Sequence, residues 1–179
     1  LPNIIASLEA LTGLLSFAIV TGLMYGRFAR PVAHLLFSDN ALIAPYQNGK
    51  ALMFRLANSK TNDLADVEAQ VLLSLVVYEG QNYVRKYFNL DLERKIVNAL
   101  ALSWTVVHPI NENSPMSEFT TEMMQEYEAE ILVNIKGFDT TFSQIVYIRT
   151  SFHYSSIVWN AKFKPVFKRS EDGTETILE

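Results

Sequence analysis

The feature that most constrains this chain is an apolar run over residues 4–25 that ends just before two arginines, Arg27 and Arg30. At about 1.5 Å per helical residue the run is roughly 33 Å long, close to the hydrocarbon thickness of a bilayer. Basic residues beyond one end of a span mark the cytoplasmic side of the membrane. The sequence therefore predicts a transmembrane helix within residues 1–30 and a cytoplasmic domain over residues 31–179.

A removable signal peptide is the alternative explanation for this segment. Signal peptides begin with basic residues, carry a shorter apolar stretch and end in a small-residue cleavage site. Here the basic residues follow the apolar run, and the single charge inside it is Glu9. The chain opens with Leu1 and Pro2 rather than Met. We therefore expect a membrane span, and we expect this chain to be a piece of a longer protein.

Charge and residue usage exclude several classes of function. Residues 31–179 contain 13 basic and 18 acidic residues, a net charge of −5, whereas nucleic-acid binding needs a basic face. The chain has no Cys, which excludes disulfides and suits a reducing cytosol. The histidines, His34, His108 and His153, lack metal-ligand spacing, and the context of His108 suggests a structural hydrogen bond. No phosphate loop or nucleophile motif is present, so we expect neither an enzyme nor a cofactor.

The pattern after residue 40 predicts short strands separated by turns. Asn48 and Gly49 form the strongest hairpin signal. Residues 117–127 are expected to be helical with Ser117 as N-cap. About 140 residues with this pattern predict an all-β immunoglobulin-like (E-set) sandwich of two antiparallel sheets. The predicted strands are 41–46, 51–56, 67–78, 83–92, 103–110, 129–136, 142–152, 157–166 and 174–178.

A series of short segments resembles the prokaryotic branch of the inward-rectifier potassium channels. Each match is weak alone, and the order and spacing of the matches make the series specific. The segments are TGLMYGRFARP (21–31), LFS (36–38), ALI (41–43), LMFRLAN (52–58), VEAQV (67–71), TVVHPI (105–110), SP (114–115), RTSF (149–152), IVW (157–159) and FKPV (163–166).

The resemblance implies a homotetramer in the cell membrane, multi-pass in the full-length protein. In this family each subunit supplies an outer helix, a pore helix with a selectivity filter, an inner helix and a cytoplasmic immunoglobulin-like domain that extends the pore. No glycine-tyrosine-glycine filter occurs in residues 1–179, so potassium as the permeant ion follows from the resemblance alone. The competing hypothesis is a single-span membrane protein whose sandwich binds a cytosolic partner without conducting ions.

Three residues of the helix share one face, because Phe17, Thr21 and Tyr25 are four residues apart. Four copies of that face would line a pore, and a ring of Tyr25 side chains would close it by excluding water. A tyrosine at the membrane interface is the alternative. The resemblance places the family's constriction at Tyr25 and an acidic residue of strong rectifiers at Phe17, so it implies weak rectification here.

Two glycines, Gly13 and Gly22, lie inside the span. Glycines in membrane helices more often permit close packing than bending. The resemblance places a hinge at Gly13, so hinge and packing both stay open.

In the cytoplasmic domain, the resemblance assigns residues 137–143 to a loop that narrows the pore, with Gly137, Phe138, Asp139 and Thr140 as its first residues. An ordinary hairpin turn is the alternative.

The resemblance also assigns a pore-facing acid to Glu68, for which a solvated surface side chain is the alternative. Four such carboxylates would concentrate cations. Lys136 departs from the family pattern, since many relatives carry Glu there.

Arg27 and Arg30 have two compatible interpretations. They mark the cytoplasmic end of the helix, and they contact anionic lipid headgroups at about 1 kcal/mol per basic residue. Eukaryotic relatives continue with a lysine run that is missing here, and the resemblance implies inhibition by polyphosphoinositides.

Overall fold

The computed structural model describes residues 2–28, 35–59, 64–80, 82–100, 103–164, 167–169 and 176–178. Its first element is helix α1, Pro2–Phe28, which is roughly 40 Å long at about 1.5 Å per residue. Every residue of α1 is exposed, and its length and composition suit a membrane span. The predicted helix is confirmed. Arg30, His34 and the predicted domain boundary lie outside the described residues.

The rest of the described chain is mostly β-strand. A short helix, α2 (Thr121–Glu126), and a 3-10 turn at Tyr154–Ser156 are the other helical elements in the described part. In chain order the strands are β1 Leu35–Phe37, β2 Ala41–Tyr46, β3 Gly49–Asn58, β4 Leu64–Glu79, β5 Asn82–Leu90, β6 Ile96–Leu100, β7 Ser103–Ile110, β8 Glu130–Asp139, β9 Gln144–His153, β10 Ile157–Trp159, β11 Phe167–Arg169 and β12 Thr176–Leu178.

Most of these strands belong to two five-stranded sheets. In sheet A, β3 pairs antiparallel with β1, β2 and β7, and β10 runs parallel to β2. In sheet B the order is β5-β4-β8-β9, with β6 also on β4, and every pair is antiparallel. Strands β11 and β12 pair only with each other among the described strands.

The two sheets share one hydrophobic core, as alternation along the strands requires. In β8, Ile131, Val133 and Ile135 are at most 2% exposed, while the residues between them are half-buried. Phe54 of sheet A meets Phe152 of sheet B with 5.4 Å between ring centroids. Each such buried side chain contributes about 1.5–3 kcal/mol of transfer free energy. The predicted two-sheet sandwich is confirmed.

The helix predicted over residues 117–127 is wrong at its start. Helix α2 begins at Thr121, and Thr120 is its N-cap, because the Thr120 hydroxyl accepts a hydrogen bond from the Met123 amide at 3.3 Å. Ser117 lies in the preceding turn, where its amide donates to the Ser114 carbonyl at 3.0 Å. The residues before Thr121 are thus committed to turns and cannot join the helix.

Several strand ends also differ from prediction. The strand predicted over 157–166 stops at Trp159, because Asn160 adopts a left-handed conformation with φ of 56°. Residues 165–166 lie outside the described chain. The sequence pattern missed β1 and β11, which have three residues each, and β6, which directly follows the charged residues Glu93, Arg94 and Lys95.

Candidate functional site

One face of α1 carries the predicted pore residues. Phe17 and Tyr25 are 72% and 76% exposed, and Thr21 lies between them with its hydroxyl donating to the Phe17 carbonyl at 2.8 Å. This bond satisfies the hydroxyl within the helix, which a lipid environment demands. The face is continuous and apolar at both ends, and no residue of α1 is buried. It therefore suits packing against other helices or lining a pathway.

The helix is continuous through both glycines. A methyl group built at Gly13 or Gly22 would meet nothing within 4 Å in the single chain. Neither glycine adopts a positive φ, and α1 is helical on both sides of each. Their role as hinge or packing surface stays a prediction, because either role involves a neighbouring helix.

Arg27 lies in the last turn of α1. A cation at this position interacts favourably with the negative end of the helix dipole. Arg30, the second residue predicted to contact lipid headgroups, lies outside the described residues.

Glu68 lies on the outer face of sheet B because of a bulge in β4. Asp66 adopts a φ of 48°, and the pairing with β8 shifts by one residue between Ala65 and Glu68. The extra residue reverses the alternation, so that Val67 is buried and Glu68 points outward. Glu68 then stands opposite Lys136, and their charged atoms are 3.8 Å apart.

The segment predicted as a pore loop is partly strand. Gly137, Phe138 and Asp139 belong to β8, and the connecting turn occupies residues 140–143. One Asp139 carboxylate oxygen accepts hydrogen bonds from the Thr141 and Phe142 amides at 2.9 and 3.1 Å. This Asx-type capping holds the turn in place.

Gly137 packs closely against the neighbouring strand. A methyl group there would lie 3.4 Å from the Val67 side chain. The predicted reason for this glycine, backbone approach to the pore axis, therefore has a competing explanation inside the sandwich.

The tip of this hairpin is apolar. Phe138 pairs with Ile145 across the strands, and the two side chains are 37% and 52% exposed. Phe142 at the turn is 45% exposed. Exposed apolar side chains of this size at a hairpin tip suit burial against a partner surface.

The comparisons with known proteins follow the same division of the chain. The sequence model of the inward rectifier potassium channel C-terminal domain matches residues 35–177. The chain belongs to the inward rectifier potassium channel family. This result confirms the resemblance in the short segments. The family is one of ion channels rather than enzymes, and the matched residues include the sandwich of sheets A and B.

Two relatives in this family show how much of a channel the chain covers. The inward rectifier potassium channel Kirbac3.1 of Paramagnetospirillum magnetotacticum is 35% identical over 179 residues, which are 99% of this chain and 60% of the relative. ATP-sensitive inward rectifier potassium channel 12 of Gallus gallus is 26% identical over 166 residues, 88% of this chain and 39% of the relative. The chain thus spans less than two thirds of either relative.

A solved structure of the sporulation control protein Spo0M from Bacillus subtilis covers 74% of this chain and 51% of its own, with 13% identity. Its TM-score of 0.37 is too low to bear on the fold.

His108 of this inward rectifier domain makes the structural hydrogen bonds that its sequence context predicts. The side chain is 3% exposed; Nδ1 donates to the Asp91 carbonyl at 2.6 Å, and Nε2 accepts from the Ser114 hydroxyl at 2.7 Å. The Ser114 oxygen in turn accepts from the Met116 amide at 3.1 Å. Burial lowers the pKa of His108, so the neutral imidazole is favoured. Within the described residues no group of three acidic or histidine side chains could hold a metal ion.

Two arginines of the domain were not assigned a role from sequence. Arg149 of β9 shares a shallow hollow of about 160 Å³ with Glu68 and Lys136. Arg55 of β3 contacts two segments that are distant in sequence, at Ser38 after β1 and at Lys164 after β10. A charged residue in a strand ordinarily faces solvent, so the alternation of the sequence does not predict the contacts of either arginine.

Proposed function

We propose that this chain is a subunit of a tetrameric inward-rectifier-type channel that conducts K⁺ passively. The observation that carries the proposal is the order of its two parts: a membrane-length helix with no buried residue, followed by an inward rectifier C-terminal domain. A single membrane helix cannot enclose a pathway for ions, whereas four copies around an axis can. Cyclic symmetry with identical contacts closes such a ring.

In this arrangement the face of Phe17, Thr21 and Tyr25 lines the inner-helix pathway, and Tyr25 forms its cytoplasmic constriction. Tyr25 is two residues before Arg27, at the end of α1 that faces the cytoplasm. A ring of aromatic side chains stops ions by dewetting the pore. The sandwich continues the pathway into the cytosol, where Glu68 and the 137–143 hairpin face the axis and Arg27 and Arg30 meet anionic lipid.

Reconstitution of the full-length protein tests this proposal. Liposomes that contain the protein and are loaded with K⁺ are expected to take up ⁸⁶Rb⁺ from a K⁺-free medium, with uptake blocked by Ba²⁺, and crosslinking in detergent is expected to give four subunits. Protein-free liposomes are the control. A membrane-inserted, folded protein that gives no uptake would instead support the single-span protein with a cytosolic interaction module.

A further inference from the structure

One side of the sandwich, where β6 of sheet B and β7 of sheet A line a common surface, carries two adjoining hollows of about 340 and 590 Å³. Arg94 and Trp104 line both hollows. The side chains of Ile96, Val97 and Leu100 give the larger hollow an apolar wall, and its volume is typical of a small-molecule site. Among the described strands β6 pairs only with β4 and β7 only with β3, so no described strand closes this side.

Trp104 carries a hydrogen-bond donor that lacks an acceptor. The residue is 9% exposed and packs in the hydrophobic core, and its indole N–H has no hydrogen-bond partner within the described residues. A tryptophan N–H can only donate, and a buried tryptophan usually finds an acceptor. Because an unmatched buried donor lowers the free energy of unfolding, an acceptor that enters the hollows beside Trp104 gains the missing bond.

Arg94 is the second donor at the hollows. It is exposed, and in the part of the chain that the structure describes no carboxylate lies within ion-pair distance of its guanidinium. The charges next to it in sequence are engaged elsewhere. Glu93 accepts a hydrogen bond from the Tyr46 hydroxyl at 2.6 Å, and Lys95 pairs with Asp91 at 2.9 Å. An unpaired cation and an unpaired neutral donor therefore border the same hollows.

We infer that Arg94 and Trp104 form a binding site for a small monocarboxylate with an apolar tail. Both side chains can only donate hydrogen bonds, and a carboxylate, whose two oxygens only accept, satisfies both at once. The tail then lies against Ile96, Val97 and Leu100 and removes apolar surface from water. A cationic ligand is repelled by Arg94, and a carboxylate without a tail lacks the apolar contact. This ligand site goes beyond the proposed function, and its test needs no ion conduction.

Hexanoate is the probe, added to the purified full-length protein in lipid nanodiscs. Acetate has the same charged group without the tail, and hexylammonium has the same tail with the opposite charge. In protein labelled with ¹⁵N at tryptophan, the indole signal that is lost in Trp104→Phe belongs to Trp104. We expect hexanoate to shift this signal saturably, and acetate and hexylammonium at the same concentrations to leave it in place. A signal that hexanoate does not move, or that all three compounds move equally, would overturn the inference.

Isothermal titration of hexanoate measures the contribution of each donor. Arg94→Gln should weaken binding about tenfold or more, because a charge-assisted hydrogen bond is lost. Trp104→Phe keeps an aromatic ring in the core and removes only the N–H, so we expect binding to weaken about three- to tenfold. Lys95→Gln, which removes a charge at the next residue, is the matched control and should bind as the parent does. Equal affinity of the parent and Arg94→Gln would reject the carboxylate site, whether or not Trp104→Phe folds.

Discussion

The Nη1 atom of Arg55 donates a hydrogen bond to the main-chain carbonyl of Lys164 at 2.9 Å, across 109 positions of sequence. Its guanidinium lies 4.7 Å from the centre of the Phe163 ring, and Nε donates to the Thr105 hydroxyl at 3.3 Å. The main chain of Arg55 exchanges two hydrogen bonds with Ser38, which directly follows β1. Arg55 thus links Ser38, near the start of the domain, to residues 163–164, which follow β10 of sheet A.

Removal of this arginine is expected to destabilise the domain. Arg55→Ala should cost about 1–3 kcal/mol, since the Lys164 carbonyl and the Phe163 ring lose a charged partner. A lysine in Arg55→Lys keeps the charge, but it cannot bond to the Lys164 carbonyl and stack on the Phe163 ring at the same time. We therefore expect an intermediate loss of unfolding free energy. Urea unfolding followed by tryptophan fluorescence measures both, with exposed Arg94→Ala as control. Equal free energies of unfolding in the parent and all variants would show that the contacts of the Arg55 side chain do not stabilise the domain.

Stability of the domain should fall in mild acid because of His108. Burial lowers the pKa of this side chain, so the unfolded chain binds its proton more readily than the folded one. Stability is therefore complete above the ordinary histidine pKa of about 6.5 and decreases as the pH drops below it. Urea midpoints measured from neutral pH down to acid should show this slope in the parent.

His108→Asn should remove the slope over that range, whereas His153→Gln should retain it, because His153 is exposed. A slope that survives in His108→Asn would assign the acid sensitivity to other groups.

Substitution of the proposed gate should raise ion flux. Tyr25→Ala removes the aromatic ring that we propose excludes water from the narrowest point of the pathway, so ⁸⁶Rb⁺ uptake by the full-length protein is expected to increase several-fold. Leu23→Ala is the control, since Leu23 is 70% exposed and lies on a different face of α1. Unchanged uptake by intact Tyr25→Ala tetramers would favour a tyrosine that sits among lipid headgroups.

Polyphosphoinositide in the liposomes is expected to lower flux through contacts with the arginines at the helix exit. The double substitution Arg27→Gln and Arg30→Gln should blunt that inhibition, because each basic residue near an anionic surface contributes about 1 kcal/mol of attraction. The double substitution Lys50→Gln and Lys162→Gln, which removes two charges from exposed positions of the domain, serves as the charge-matched control. Undiminished inhibition in the double variant would mean that these arginines set only the orientation of the helix.

Much of the fold is readable from sequence because several strands, β7 and β8 among them, alternate between more buried and less buried residues. Strands β2 and β7 were predicted with their observed ends, and Asn48 and Gly49 do lie at the turn between β2 and β3. The predicted start of α2 was wrong because the preceding residues form a turn, in which the Ser114 hydroxyl makes hydrogen bonds with His108 and the Met116 amide. That competition depends on tertiary contacts, and spacing alone does not reveal it.

The candidate site is less accessible to sequence reasoning. Glu68 and Lys136 could be named separately, but their pairing depends on the single extra residue at Asp66 and on the register of two strands 68 positions apart. The hollow beside Arg149 needs a third strand in register as well. Such charge compensation is visible only once the strands are placed side by side.

Sheet B ends in strand β5, whose residues 82–89 are exposed on both faces, with Tyr83 and Tyr87 at 78% and 58%. Among the described strands only β4 pairs with it. A long, aromatic and unpaired edge is a template for adding another strand. For the proposed tetramer, a domain that folds before it assembles therefore presents this edge to any other chain nearby, and aggregation competes with assembly. Overproduction of the domain alone is expected to favour strand addition between copies, and hence aggregation.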